Sequence, residues 1–104
     1  MDYTNAVRNF RNATEKNDAA AAAAALKLIP EEVVNACDDD DYDMLISAVQ
    51  NGDVCAVRVL LASGKCDLDH RENLCGMTAR EFAQDYPAGS PMRRAFEDFA
   101  DWDD

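Results

Sequence analysis

The chain repeats itself at a spacing of 35 residues, and no other feature constrains its fold as much. Ala13, Ala48 and Ala83 fall into register. Asp18 then matches Asp53, Ala25 matches Leu60, Leu26 matches Leu61 and Val33 matches Leu68. A period of this length, with small and apolar residues at corresponding positions, points to stacked helical units. Each unit is too small to bury its own apolar face and relies on its neighbours.

Each unit reads as two helices. In the first, Tyr3, Ala6, Val7, Phe10 and Ala13 recur at helical spacing. Lys16-Asn17-Asp18 breaks the pattern, and Asp18 is an N-cap for a second helix from Ala19 to about Ile29, ended by Pro30. The alanine run in that helix combines high helix propensity with side chains small enough for close approach of a neighbour. The second unit opens at Asp43, an N-cap ahead of Met44, Leu45, Ala48 and Val49. Asn51-Gly52-Asp53 makes the turn, Asp53 caps a helix from Val54 to Ser63, and Gly64 ends it. Thr78 caps the third unit's first helix, from Ala79 to about Asp85, and Tyr86-Pro87-Ala88-Gly89 breaks it. Ser90-Pro91 starts the last helix, on which Met92, Ala95, Phe96, Phe99 and Trp102 share a face. The expected fold class is all-α, a solenoid of about three helix pairs with little or no sheet. Residues 1–104 form one domain, with units of about 3–37, 38–72 and 73–104.

Charge narrows the partner classes. Twenty-one acidic residues against ten basic ones give a net charge of −11. Free nucleic acid and anionic membranes are poor ligands for such a surface. A partner protein with a basic surface suits it, because complementary potentials steer encounter. Cys37, Cys55, Cys66 and Cys75 form no CxxC pair and read as free thiols of a reducing cytosol. No signal peptide is evident, and the longest apolar stretch, Ala19 to Leu26, is too short to span a bilayer. A cytoplasmic protein is expected, including one delivered into a host cell.

The stretch Asn51-Gly52-Asp53, Val57, Leu60-Leu61, Gly64, Asp67-Leu68-Asp69, Gly76 and Thr78-Ala79 resembles the ankyrin repeat. The segment from Gly76 to Ala83 is similar to the degenerate form found in terminal repeats. The likeness is strongest over residues 43–86. Asp43 and Met44 depart from it, standing where the family usually has Thr and Pro, and two extra residues separate Gly64 from Thr78. The resemblance implies a protein-binding module without catalytic residues. Contacts would come from the fingers between units and from the concave face of each first helix. Carried onto this chain, it places Asp39, Asp40 and Tyr42 at the first finger tip and Asn73, Leu74 and Met77 at the second. Gln50 and Asn51 take the concave positions of the second unit, and Asp85 and Tyr86 those of the third.

Several constellations were candidates for chemistry. The run Asp38-Asp39-Asp40-Asp41-Tyr42-Asp43 repels itself and should be exposed. It fails as a calcium loop: counted from Asp39, the sixth residue is Met44 rather than Gly, and the twelfth is Gln50 rather than Glu. It reads either as a plain solvated finger or as an acidic hook with Tyr42 as its aromatic anchor. Cys66, His70 and Cys75 offer three metal-ligand types but lack the pairing of a structural zinc site. A cysteine–histidine nucleophile would need a thiol within reach of His70, which is expected on a finger away from any cleft. No phosphate loop or dinucleotide fingerprint is present. No cofactor, metal or enzymatic activity is therefore expected. The acids around Trp102 near the C-terminus read as a capping helix, with Trp102 either closing its apolar stripe or standing as an exposed anchor flanked by acids.

Two functions follow as expectations. The first is an inhibitor or adaptor that binds a larger protein through an acidic finger and concave face; antitoxin-like, effector-modulating and host-targeting roles all fit. The second is a nucleic-acid mimic that occupies a basic DNA- or RNA-binding groove. A mimic should carry carboxylates in rows. An adaptor should centre on apolar or aromatic anchors with an acidic rim.

Overall fold

The structure is a computed structural model that describes residues 3–39 and 41–99. Trp102 and Asp40 lie outside the described residues. The chain is all-helical there, with no strand among the described residues. Its helices are α1 (Thr4–Glu15), α2 (Ala19–Leu26), α3 (Glu31–Val34), α4 (Met44–Gln50), α5 (Val54–Ser63), α6 (Ala79–Ala83) and α7 (Pro91–Glu97).

The caps form where local chemistry puts them. Asp18, Asp43 and Asp53 each accept from the backbone N–H three residues on, at Ala21, Ile46 and Ala56. Thr78 and Glu81 make a reciprocal capping box, and Ser90 caps α7 with Pro91 behind it. Gly64 ends α5 with φ +73°. The turns before α2 and α5 are copies of one another. Asn17 (φ +59°) and Gly52 (φ +71°) occupy the same left-handed position one period apart. Asp18 N–H donates to the Ala13 carbonyl at 2.8 Å, and Asp53 N–H donates to the Ala48 carbonyl at 3.0 Å.

The core follows the same period. Ala22, Val57 and Met92 are each almost wholly buried, as are Ala25, Leu60 and Ala95, and Leu26, Leu61 and Phe96. These stripes lie on α2, α5 and α7, which pack in that order, α5 against both its neighbours. In front of them, α4 packs on α5 and α6, and α1 packs on α2 and touches α5. Burying each larger apolar side chain contributes about 1.5–3 kcal/mol.

Two helix ends differ from expectation. α2 stops at Leu26 rather than near Ile29. Residues 27–29 tighten, with Leu28 and Ile29 N–H donating three residues back. Pro30 has no N–H to give the Leu26 carbonyl, and the Lys65 ammonium, distant in sequence, takes the Leu26 and Ile29 carbonyls instead, both at 2.7 Å. Pro30, expected only as a stop, also begins the short helix α3, which buries Val34. α6 ends at Ala83 rather than near Asp85, because Asp85 and Tyr86 N–H turn back onto Phe82 and Ala83.

Candidate functional site: a groove beneath an acidic loop

α1 and α4 stand on either side of a groove of about 890 Å³. Val7, Phe10, Val33 and Met44 give it an apolar floor. Glu15, Asp38 and Asp53 bring acid to it, with Arg11 the one basic residue in its lining. The loop between α3 and α4 forms one wall. It is closed by its own aspartates: Asp38 Oδ1 accepts from Tyr42 N–H at 3.0 Å, and Asp38 N–H donates to the Tyr42 carbonyl at 3.1 Å. Asp41 takes φ +65°, an uncommon conformation for a residue with a Cβ.

The acidic run does not stand out in solvent as a whole. Asp38 and Asp39 are exposed and Asp41 is half-buried. Asp43, at 3% exposure, is buried, which corrects the expectation of a fully solvated run. It is the N-cap of α4, and its carboxylate accepts from Ile46 N–H at 2.9 Å. Lost hydration pushes the Asp43 carboxyl above the usual aspartate range, against the opposing pull of that N–H and of His70. Tyr42 is half-buried, with its ring edge-on to Phe82 at 6.1 Å and 69°. It joins the loop between α3 and α4 to α6 besides lining the groove.

The other carried-over positions separate in the same way. Gln50 and Asn51 are exposed at the end of α4, and Asn51 lines the groove. Asn73 and Leu74 are exposed, Leu74 at 72%, while Met77 packs half-buried on the core. Asp85 is exposed. Tyr86 is half-buried, and its hydroxyl donates to the Val49 carbonyl at 2.6 Å.

The loop before α6 is organised by a residue that sequence reasoning missed. Glu72 is 1% exposed, and its carboxylate accepts from the N–H groups of Leu74 (2.6 Å), Cys75 (2.7 Å) and Met77 (3.3 Å). Lost hydration pushes its pKa up, but the backbone N–H groups of residues 74–77 outweigh that and hold it below the usual glutamate range. The signal was slight: one acid just ahead of a tight Gly76 turn. Asn35, equally unforeseen, donates to the Lys65 carbonyl and accepts from Asp67 N–H, both at 2.9 Å.

His70 is not isolated on a finger. It reaches back to the acidic loop, with Nε2 2.8 Å from the Asp41 carbonyl, 3.8 Å from Asp41 Oδ1 and 3.5 Å from Cys37 Sγ. The sequence had grouped it with Cys66 and Cys75. Instead Cys66 points its thiol at the Leu60 carbonyl (3.7 Å), and burial pushes that thiol up to about 12. The Cys37 thiol is also pushed up, by burial first and then by a hydrogen bond to Asp41 and the charges of Asp41, Asp43 and Asp38. The His70 pKa is raised by its bond to the Asp41 carbonyl, against desolvation and with help from the Asp43, Asp41 and Asp67 carboxylates.

On the opposite side, α2 and α5 enclose a hollow of about 520 Å³ lined by alanines, Val59, Lys27, Arg58 and Lys65. Arg58 pairs with Asp98 at 3.3 Å, and Lys65 is committed to α2. Among the described residues, no helix is long and apolar enough to cross a membrane.

No protein-family model, curated protein or solved structure matches this chain.

Proposed function

We propose that this chain is a three-unit, ankyrin-type solenoid that binds a basic, amphipathic segment of another protein and acts as its inhibitor or adaptor. The helix pairs α1/α2, α4/α5 and α6/α7 are its units. The repeated caps, the repeated turn at Asn17 and Gly52, and the three stripes on α2, α5 and α7 support the repeat reading.

The observation that carries the binding reading is the groove between α1 and α4. An apolar floor of Val7, Phe10 and Met44 with acid from Glu15, Asp38 and Asp53 suits a segment with apolar residues on one face and Lys or Arg on the other. This pattern favours an adaptor over a nucleic-acid mimic, which needs carboxylate rows and no apolar floor. The reading involves no catalysis. The one cysteine–histidine approach, Cys37 with His70, has its thiol pKa raised, the reverse of an activated nucleophile.

The test is fluorescence anisotropy with a labelled Lys-rich amphipathic peptide. Wild type should bind, more weakly as salt rises. Asp38→Lys with Glu15→Lys, both at exposed positions, should weaken binding about tenfold or more, near 1.4 kcal/mol. Val7→Asp should do the same with the circular dichroism spectrum retained. Equal affinity across all three proteins would overturn the reading.

A further inference from the structure

We infer that Cys37, Asp41 and His70 form a zinc(II) site that pins the acidic loop to the segment after α5. One ligand atom from each residue lies within 4.8 Å of the other two. The donors come from two loops far apart in sequence, so their convergence is a product of the fold rather than of a local run.

The chemistry of the set fits. Thiolate, imidazole and carboxylate are the three side-chain donors that zinc uses. Bonds of about 2.3 Å to sulfur and 2.0–2.1 Å to nitrogen, opened at a tetrahedral angle, place the two donor atoms about 3.6 Å apart. Cys37 Sγ and His70 Nε2 are 3.5 Å apart. The 3.8 Å from Nε2 to Asp41 Oδ1 is longer than the tetrahedral edge and closes with a small carboxylate rotation.

The surroundings favour a cation. Asp38, Asp43 and Asp67 add negative charge around the three donors. Among carboxylates a thiolate is disfavoured and a dication is welcome, and a bound dication reverses the local preference by stabilising the thiolate. Cys37 is exposed, so the site has an entry path. In the metal-free arrangement His70 Nε2–H is placed to donate to the Asp41 carbonyl. Zinc replaces that proton: a neutral ring moves its proton to Nδ1, and a charged ring releases one. The Cys37 thiol releases its proton to solvent as the Zn–S bond forms. Three protein ligands leave a fourth position for water or for a donor from a partner.

Zinc binding should be measured by titration against a chromophoric chelator on the full chain. One zinc per chain is expected, with affinity rising with pH as protons are released. Cobalt(II) should give a thiolate charge-transfer absorption. Cys37→Ser and His70→Asn should each lower affinity at least tenfold, while Cys66→Ser and Cys75→Ser leave it unchanged. As a second readout, zinc should protect Cys37, and not Cys75, from alkylation in the wild-type chain, mapped by mass spectrometry. Absence of stoichiometric zinc, affinity insensitive to Cys37→Ser and His70→Asn, or equal protection of Cys75 would overturn the site.

Discussion

The Tyr86 hydroxyl donates to the Val49 carbonyl at 2.6 Å, tying the break after α6 to the last turn of α4. That carbonyl lies at a helix end, where it also accepts from Gly52 N–H at 3.1 Å, so the hydroxyl is its second donor. Tyr86→Phe leaves it without this donor while keeping the ring. The expected loss is about 0.5–1.5 kcal/mol, or roughly 4–8 °C in Tm for each kcal/mol. Thermal unfolding of the two proteins checks it. A loss of peptide binding with no loss of stability would instead make Tyr86 a contact residue.

Lys65 makes a second tie between segments distant in sequence. Its ammonium holds two carbonyls at the end of α2, where a positive charge also meets the negative end of the helix. Lys65→Met keeps most of the apolar stem and removes both bonds. Chemical denaturation should show a loss of about 1–3 kcal/mol. Lys27→Met, at an exposed position on the same helix end, should change stability by less than about 0.5 kcal/mol.

These two ties mark the boundary of what the sequence makes legible. Caps at Asp18, Asp43, Asp53, Thr78 and Ser90 could be read because a cap is a local event, one side chain and an N–H three residues on. The buried stripes could be read because helical periodicity marks them. Lys65 with Leu26, Asn35 with Asp67, and His70 with Asp41 carry no periodic signal, since each partner lies 29 to 39 residues away. The same blindness placed Tyr42 at a free finger tip, when its ring packs on Phe82. The groove was legible only as a concave face implied by the ankyrin resemblance. Its floor of Val7 and Phe10 comes from α1, whose apolar residues the sequence shows only as one helical face.

Leu60 tests the repeat register directly. It is fully buried at the centre of the α2–α5–α7 layer, in line with Ala25 and Ala95. With small residues on both neighbours, little can collapse into the space its truncation leaves. Leu60→Ala should cost about 2–5 kcal/mol by denaturant titration. A near-neutral result would mean the stripes are not stacked as described.

Glu72 should make part of the chain's stability depend on acid. Its carboxylate is held ionised by the N–H groups of residues 74–77, so its folded pKa lies below the ordinary 4.5. A group whose pKa falls on folding stabilises above its unfolded pKa, and that contribution is lost as pH drops through the folded value. Glu72→Gln removes the charge but keeps the shape. Denaturant midpoints should show the variant less stable than wild type at pH 7. The gap should narrow as the pH is taken from about 4.5 downward, because wild type alone loses this contribution. A gap that stays constant through the acid range would mean that Glu72 holds this loop by shape and neutral hydrogen bonds, with no role for its charge.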